Sequence, residues 1–168
     1  WTAYFDRIET ETGFEIADYL TLSAKGADAE LVSDITVIPL TESGGIVLLR
    51  NWRHAVERYC WEGVRGFVDF GETPEAAAMR ELSEETGLTC DLADLKPLGF
   101  VTPEASTIAG RAALFVAERC RPGGERDHHE PGLGETTVFG RDKVRDMLAS
   151  FEIEDATTVA ALYRCQMF

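Results

Sequence analysis

Between Gly66 and Leu88 lie the residues best suited to chemistry: Glu72, Arg80, Glu81, Glu84 and Glu85, with glycines at 66, 71 and 87. On a helix, positions 81, 84 and 85 are related by i, i+3 and i+4, so three carboxylates share one face. Like charges at that spacing repel by ~0.2–0.5 kcal/mol per exposed pair, and by more when dry. Folding alone gives no reason to place them there. A divalent cation reverses the sign, because hard oxygen donors on a rigid helix suit Mg²⁺ or Mn²⁺. The bland alternative is a solvated acidic face. It leaves the flanking glycines, Glu72 ahead of the helix and Arg80 beside the cluster without a common explanation, whereas a metal site explains them together.

Taken in order, these residues resemble the Nudix box, G-x5-E-x7-R-E-U-x-E-E-x-G-U, with U bulky and aliphatic. Gly66, Glu72, Arg80, Glu81, Leu82, Glu84, Glu85, Gly87 and Leu88 fill all nine fixed positions over 23 residues. The resemblance implies a hydrolase of nucleoside diphosphates linked to another group, on an α/β fold of the αβα sandwich type with a mixed sheet. It makes Glu81 and Glu85 principal metal ligands, Glu84 a further one, and the backbone carbonyl of Arg65 the completing donor. Arg80 would orient a neighbouring glutamate through charge-assisted hydrogen bonds. Gly66 and Gly71 would let the loop approach the metal closely. Arg53, Arg80, Glu72 and Gly66 form the expected substrate-binding group.

Upstream, Leu48 to Val56 is similar to the segment before the box in ADP-ribose pyrophosphatases, where the arginine matched by Arg53 contacts substrate phosphate. The alternative for Arg53 is a plain surface arginine. Pro103 lies sixteen residues after Gly87, a spacing associated with that subgroup. Its setting, Thr102-Pro103-Glu104-Ala105-Ser106, departs from the subgroup's serine-proline-glycine, which leaves the sugar nucleotide open. In this family the general base often comes from a loop after the box. Glu135 is favoured because the strand candidate Thr136–Phe139 follows it; Glu130 and Glu104 are the other candidates, and Glu85 counts among the catalytic carboxylates. Each loop glutamate has a solvated role as its alternative. His128-His129 with Glu130 could hold a transition metal, but adjacent histidines in an extended segment face opposite ways. Trp52, Trp61 and Phe100 could stack on a base, although core packing is the commoner role.

The elements that must position these groups follow from patterning. Tyr4–Ile8 and Phe14–Leu20, joined by Thr10-Glu11-Thr12-Gly13, read as a hairpin ahead of the main body. Strands are expected over Ile35–Leu40, Ile46–Arg50, Pro97–Val101 and Ala112–Ala117. Thr73-Pro74 and Gly87 bracket a helix, on which Ala78 and Leu82 pack against a sheet. Arg141–Ser150 and Asp155–Gln166 have helical apolar spacing. The expected division is an N-terminal β extension over 1–30, similar in layout to the segment ADP-ribose pyrophosphatases exchange in a dimer, and a catalytic domain over 31–168.

The chain carries 30 acidic and 16 basic residues, net −14, which argues against nucleic acid as partner. No apolar run reaches the ~18–20 residues of a membrane span, and the start at Trp1 lacks the basic and apolar regions of a signal peptide. Cys60, Cys90, Cys120 and Cys165 are scattered without a C-x-x-C pair, as expected of reduced thiols in the cytoplasm. The expected function is therefore a pyrophosphohydrolase dependent on Mg²⁺, with Mn²⁺ as the alternative cation, cleaving ADP-ribose or a related nucleoside diphosphate sugar, as a homodimer. The alternatives are hydrolysis of NADH, a diadenosine polyphosphate or GDP-mannose, or a non-catalytic nucleotide-sensing module.

Overall fold

The computed structural model describes residues 1–24, 32–127 and 132–165. In chain order the elements are β1 (Thr2–Glu9), β2 (Glu15–Ser23), β3 (Val32–Thr41), β4 (Ile46–Arg53), β5 (Arg58–Glu62), β6 (Val64–Phe67), α1 (Pro74–Thr86), β7 (Leu88–Thr89), β8 (Leu95–Val101), β9 (Ile108–Ala109), β10 (Arg111–Pro122), β11 (Glu135–Phe139), α2 (Arg141–Ala149) and α3 (Ala156–Arg164).

The main sheet runs β11-β4-β3-β10-β7, with β5 on β4, β6 on β3 and β8 on β10. The β3–β10 pair is parallel and the other pairs of this sheet are antiparallel, so the sheet is mixed. Strand β3 is apolar on both faces, with Ile35, Val37 and Ile38 fully buried, because helices cover both sides of the sheet. Alternation sorts its residues. Ile35 and Val37 join Ala77, Ala78 and Leu82 of α1 in one core layer, along with Ala113 and Phe115 of β10. Ile38 joins Val144, Met147, Ala161 and Leu162 of α2 and α3 in the other, along with Ala112 and Leu114. This is the expected αβα arrangement.

The N-terminal hairpin β1–β2 is antiparallel, and Thr10 and Gly13 close its turn through Thr10 N–H to Phe14 O and Gly13 N–H to Thr10 O, both 2.9 Å. Strand β9 adds to β2 in parallel, which ties the extension to the loop after β8. Besides the two-residue strands β7 and β9, two strands carry no clear pattern in the sequence. Arg58–Glu62 pairs with β4 after a short 3-10 turn at His54–Val56, and Val64–Phe67 pairs with β3 despite Gly66 within it. Trp52 and Phe100 are half exposed instead of packed in the core. Trp52 meets Tyr59 edge-on, and Phe100 lies under the Arg111 guanidinium. Trp61 packs edge-on against Phe139.

Candidate active site

Helix α1 starts where Thr73 accepts a hydrogen bond from the Ala76 N–H at 3.2 Å, with Pro74 at its first position. It ends at Gly87, whose φ of 71° and N–H to Ser83 O close the last turn. These caps and the Ala78/Leu82 seam set the helix rotation, which turns Glu81 and Glu85 toward β6. Glu81 is 9% exposed and Glu85 1%. A Cβ placed on Gly66 would lie 1.9 Å from Glu81 Cδ, so the Glu81 carboxylate occupies the space a side chain would fill. Glu85 Oε2 accepts the Arg65 backbone N–H at 3.1 Å.

Arg80 links this cluster through all five of its N–H donors. Its Nε and Nη2 grip Glu72 at 3.1 and 3.0 Å, Nη1 reaches Glu81 at 2.7 Å and Glu84 at 3.0 Å, and Nη2 also donates to Phe67 O at 2.9 Å. Glu72 accepts the Asp69 N–H as well. Hydrogen bonds from Arg80 hold the Glu72 carboxyl below the usual carboxylate range against some loss of hydration.

Two further guanidiniums sit beside the cluster. Arg53 bonds through Nε to both oxygens of Glu62 at 3.0 Å, and Glu62 is itself buried. Arg65 extends to Asp155 Oδ2 at 2.7 Å, while Asp155 caps α3 by accepting the Thr158 N–H at 2.8 Å. Burial alone would raise the Asp155 carboxyl; the Arg65 charge and the bonds from Thr158 and Thr157 outweigh it and hold the group low. Arg53, Arg65, Arg80, Glu81 and Gly66 line one cleft of about 480 Å³, whose other wall includes Trp1, Phe67 and Pro103. Arg53 and Arg65 also border a second hollow of about 400 Å³ on the α3 side.

The donor set suits a hard divalent cation: carboxylate oxygens from one helix face, beside a strand whose glycine lets Glu81 approach the backbone. Among the described residues no three acidic, histidine or cysteine side chains converge on one point. Arg80 draws one oxygen each of Glu81 and Glu84 to its own Nη1. A cation there would share those carboxylates with Arg80.

Glu135 and Glu104 are not among the residues lining the cleft. Glu135 begins β11 opposite Arg50, 3.9 Å from its guanidinium, three residues before Arg53 on β4. Glu104 accepts the Ser106 N–H at 3.0 Å next to cleft-lining Pro103. Glu130, His128 and His129 lie outside the described residues. Sequence patterning missed Trp1, Phe67, Asp34 and Asp155. Trp1 and Phe67 meet edge-on at 5.9 Å on the cleft wall, and Asp34 lies beside them. Only the -Asp-Ala-Thr-Thr- start of α3, an N-cap pattern, carried a local signal for Asp155.

The NUDIX domain model matches residues 31–162. An ADP-sugar pyrophosphatase of Mus musculus is 33% identical over 135 residues, covering 80% of this chain and 61% of that protein. The chain thus spans under two thirds of that relative. An ADP-ribose pyrophosphatase of Bacillus subtilis is 36% identical over 150 residues, covering 86% of this chain and 80% of its own length. A crystal structure titled as an ADP compounds hydrolase superposes with a TM-score of 0.79 at 22% identity, over 95% of this chain and 81% of the other, a likeness of fold. With the box residues gathered on α1 and β6 and the family model matching residues 31–162, the chain belongs to the NUDIX domain family.

Proposed function

We propose that this chain hydrolyses the diphosphate of ADP-ribose or a related nucleoside diphosphate sugar, using Mg²⁺ or Mn²⁺ held by Glu81, Glu85 and Glu84 with the Arg65 carbonyl. The observation that carries the reading is the meeting, in one cleft, of Glu81 seated on Gly66, three guanidiniums and an edge-on aromatic pair. The names of the mouse and Bacillus relatives support the substrate class.

Water adds to one phosphorus and the P–O–P bridge breaks, giving AMP and a sugar phosphate. The bound cation would neutralise the diphosphate and acidify the attacking water. Arg53 and Arg65 are placed to hold phosphate oxygens, each kept in orientation by a carboxylate behind it, Glu62 and Asp155. Arg80 and Glu72 hold the Glu81 and Glu84 carboxylates on the cleft side of α1. Trp1 and Phe67 offer ring faces and edges for a base. Glu135 is the favoured proton acceptor for the water, with Glu130 and Glu104 as the other candidates.

The N-terminal extension over 1–30 is read as dimer-forming, supported by exposed apolar side chains on the β1–β2 hairpin, among them Phe5 at 70%. No helix among the described residues is long and apolar enough to cross a membrane. The acidic balance and unpaired thiol pattern support a cytoplasmic protein without nucleic-acid partners.

The test is nucleotide release from ADP-ribose, NADH, GDP-mannose and diadenosine polyphosphates, with Mg²⁺ and with EDTA. Metal-dependent release from ADP-ribose above the others is expected, and Glu85→Gln should lower it by 10² or more while the circular dichroism spectrum is kept. Release from another member would change the substrate. No release from any, with ligand-induced stabilisation, would establish a sensing module in place of an enzyme.

A further inference from the structure

Asp34 lines the cleft as a carboxylate outside the α1 cluster and its ion pairs. Asp34 lies on β3 directly opposite Phe67 of β6, and Arg65 lies opposite Thr36, two residues further along. With a period of two, Asp34, Phe67 and Arg65 therefore share one face of the sheet. Phe67 carries the edge-on contact to Trp1, and Arg65 is one of the guanidiniums placed for phosphate. Asp34 thus stands on the cleft wall next to both the aromatic pair and the phosphate-binding charge. A nucleoside 5′-phosphate likewise carries its ribose next to both base and phosphate.

The chemistry of the position agrees. An ionised carboxylate only accepts hydrogen bonds, and a ribose cis-diol presents two O–H donors to it. Ser33 Oγ donates to Asp34 Oδ2 at 2.7 Å and so orients the group. Burial pushes the Asp34 carboxyl up, against the pull of the Ser33 bond and the Arg65 charge. Neutralising Arg65 does not explain Asp34, because Arg65 already bonds Asp155. A half-buried acid whose neighbouring guanidinium is bonded to another carboxylate is placed where a ligand can add donors.

We infer that Asp34 binds the 2′- and 3′-hydroxyls of the nucleotide ribose and excludes substrates phosphorylated at the 2′ position. The assignment rests on the nucleoside diphosphate sugar reading above. An acid at a ribose diol accepts its hydroxyl protons and repels a 2′-phosphate, whereas a neutral or basic residue tolerates one.

The experiment compares kcat/KM for ADP-ribose and for ADP-ribose bearing a 2′-phosphate on its adenosine, in the wild type, Asp34→Asn and Asp34→Ser. Equilibrium binding of AMP and adenosine 2′,5′-bisphosphate is measured alongside. The wild type should favour the unphosphorylated member of each pair. Both variants should raise KM for ADP-ribose about tenfold with kcat retained, and should improve on the 2′-phosphorylated compound, so that the preference falls by tenfold or more. Because the readout is a ratio on one protein sample, a partly folded variant does not distort it. A preference unchanged within twofold in both variants overturns the assignment while leaving the hydrolase reading intact. Asp34-dependent discrimination in binding, without any turnover, keeps the assignment and removes the hydrolase. Absence of both turnover and AMP binding removes both.

Discussion

At the scale of single residues, the site depends on what is missing at position 66 as much as on what is present at position 81. The Glu81 carboxylate fills the place of a Gly66 side chain. Gly66→Ala should therefore turn Glu81 away from β6, lowering kcat by 10² or more at a stability cost of about 1–3 kcal/mol for overpacking. Gly71 is a different glycine. Its φ is 82° and a Cβ there meets nothing within 4 Å, so Gly71→Ala strains backbone without pushing on a neighbour. Urea denaturation of both variants, with turnover per folded molecule, separates the two causes: Gly71→Ala should lose stability by about 1–2 kcal/mol. Equal turnover by Gly66→Ala and wild type would contradict the seating of Glu81.

At the scale of elements, the first turn of α3 braces the strand that carries the candidate metal-binding carbonyl. Asp155 caps the helix and holds Arg65, and Thr158 Oγ1 accepts the Gly63 N–H at 3.0 Å. The folded Asp155 carboxyl lies below its ordinary value of 3.8. Its contribution is therefore complete above that value and is lost as pH falls through the lower, folded value. Asp155→Asn keeps a capping side chain but loses the charge, and should cost about 1–3 kcal/mol at pH 7. The difference between variant and wild type should vanish in strongly acidic solution. A pH-independent difference would show that the pair with Arg65 does not carry the effect.

The same elements show what local sequence could and could not tell. Helix α1 was legible because Thr73, Pro74 and Gly87 punctuate it and Ala78 and Leu82 mark its buried seam. The acidic face was legible because its repulsion is unreasonable without a cation. Strand β6 was not, since Val64–Phe67 is short, contains Gly66 and becomes a strand only by pairing with β3. Asp34, Trp1 and Phe67 come together from three separate segments, so nothing in the spacing of any one of them announces a shared wall. Trp52 and Phe100 were read toward the core from residue type alone; their strands instead present them at the surface.

At the scale of the whole molecule, the diphosphate substrate proposed above would have to approach a chain of net charge −14. The cleft lining sets Arg53, Arg65 and Arg80 against Asp34, Asp69 and Glu81, so it is balanced where the molecule as a whole is acidic. Binding of Mg²⁺ at the α1 carboxylates should stabilise the folded state by about 2.7 kcal/mol at 100 times its Kd. That corresponds to a rise of several degrees in Tm for a chain of this size. Thermal melting with Mg²⁺, against NaCl at matched ionic strength, distinguishes site binding from screening of the overall charge. The rise should be absent in Glu85→Gln. A rise that NaCl reproduces would assign the effect to screening.

The five committed donors of Arg80 bear on how this segment tolerates change. In a saturation library covering 66–88, lysine at position 80 offers one ammonium where a planar fork spans Glu72, Glu81, Glu84 and the Phe67 carbonyl. Substitutions at 72 and 80 should then show strong epistasis, the double variant losing less than the two single losses combined. The segment would behave in such a screen as one hereditary unit, whose letters cannot drift one at a time.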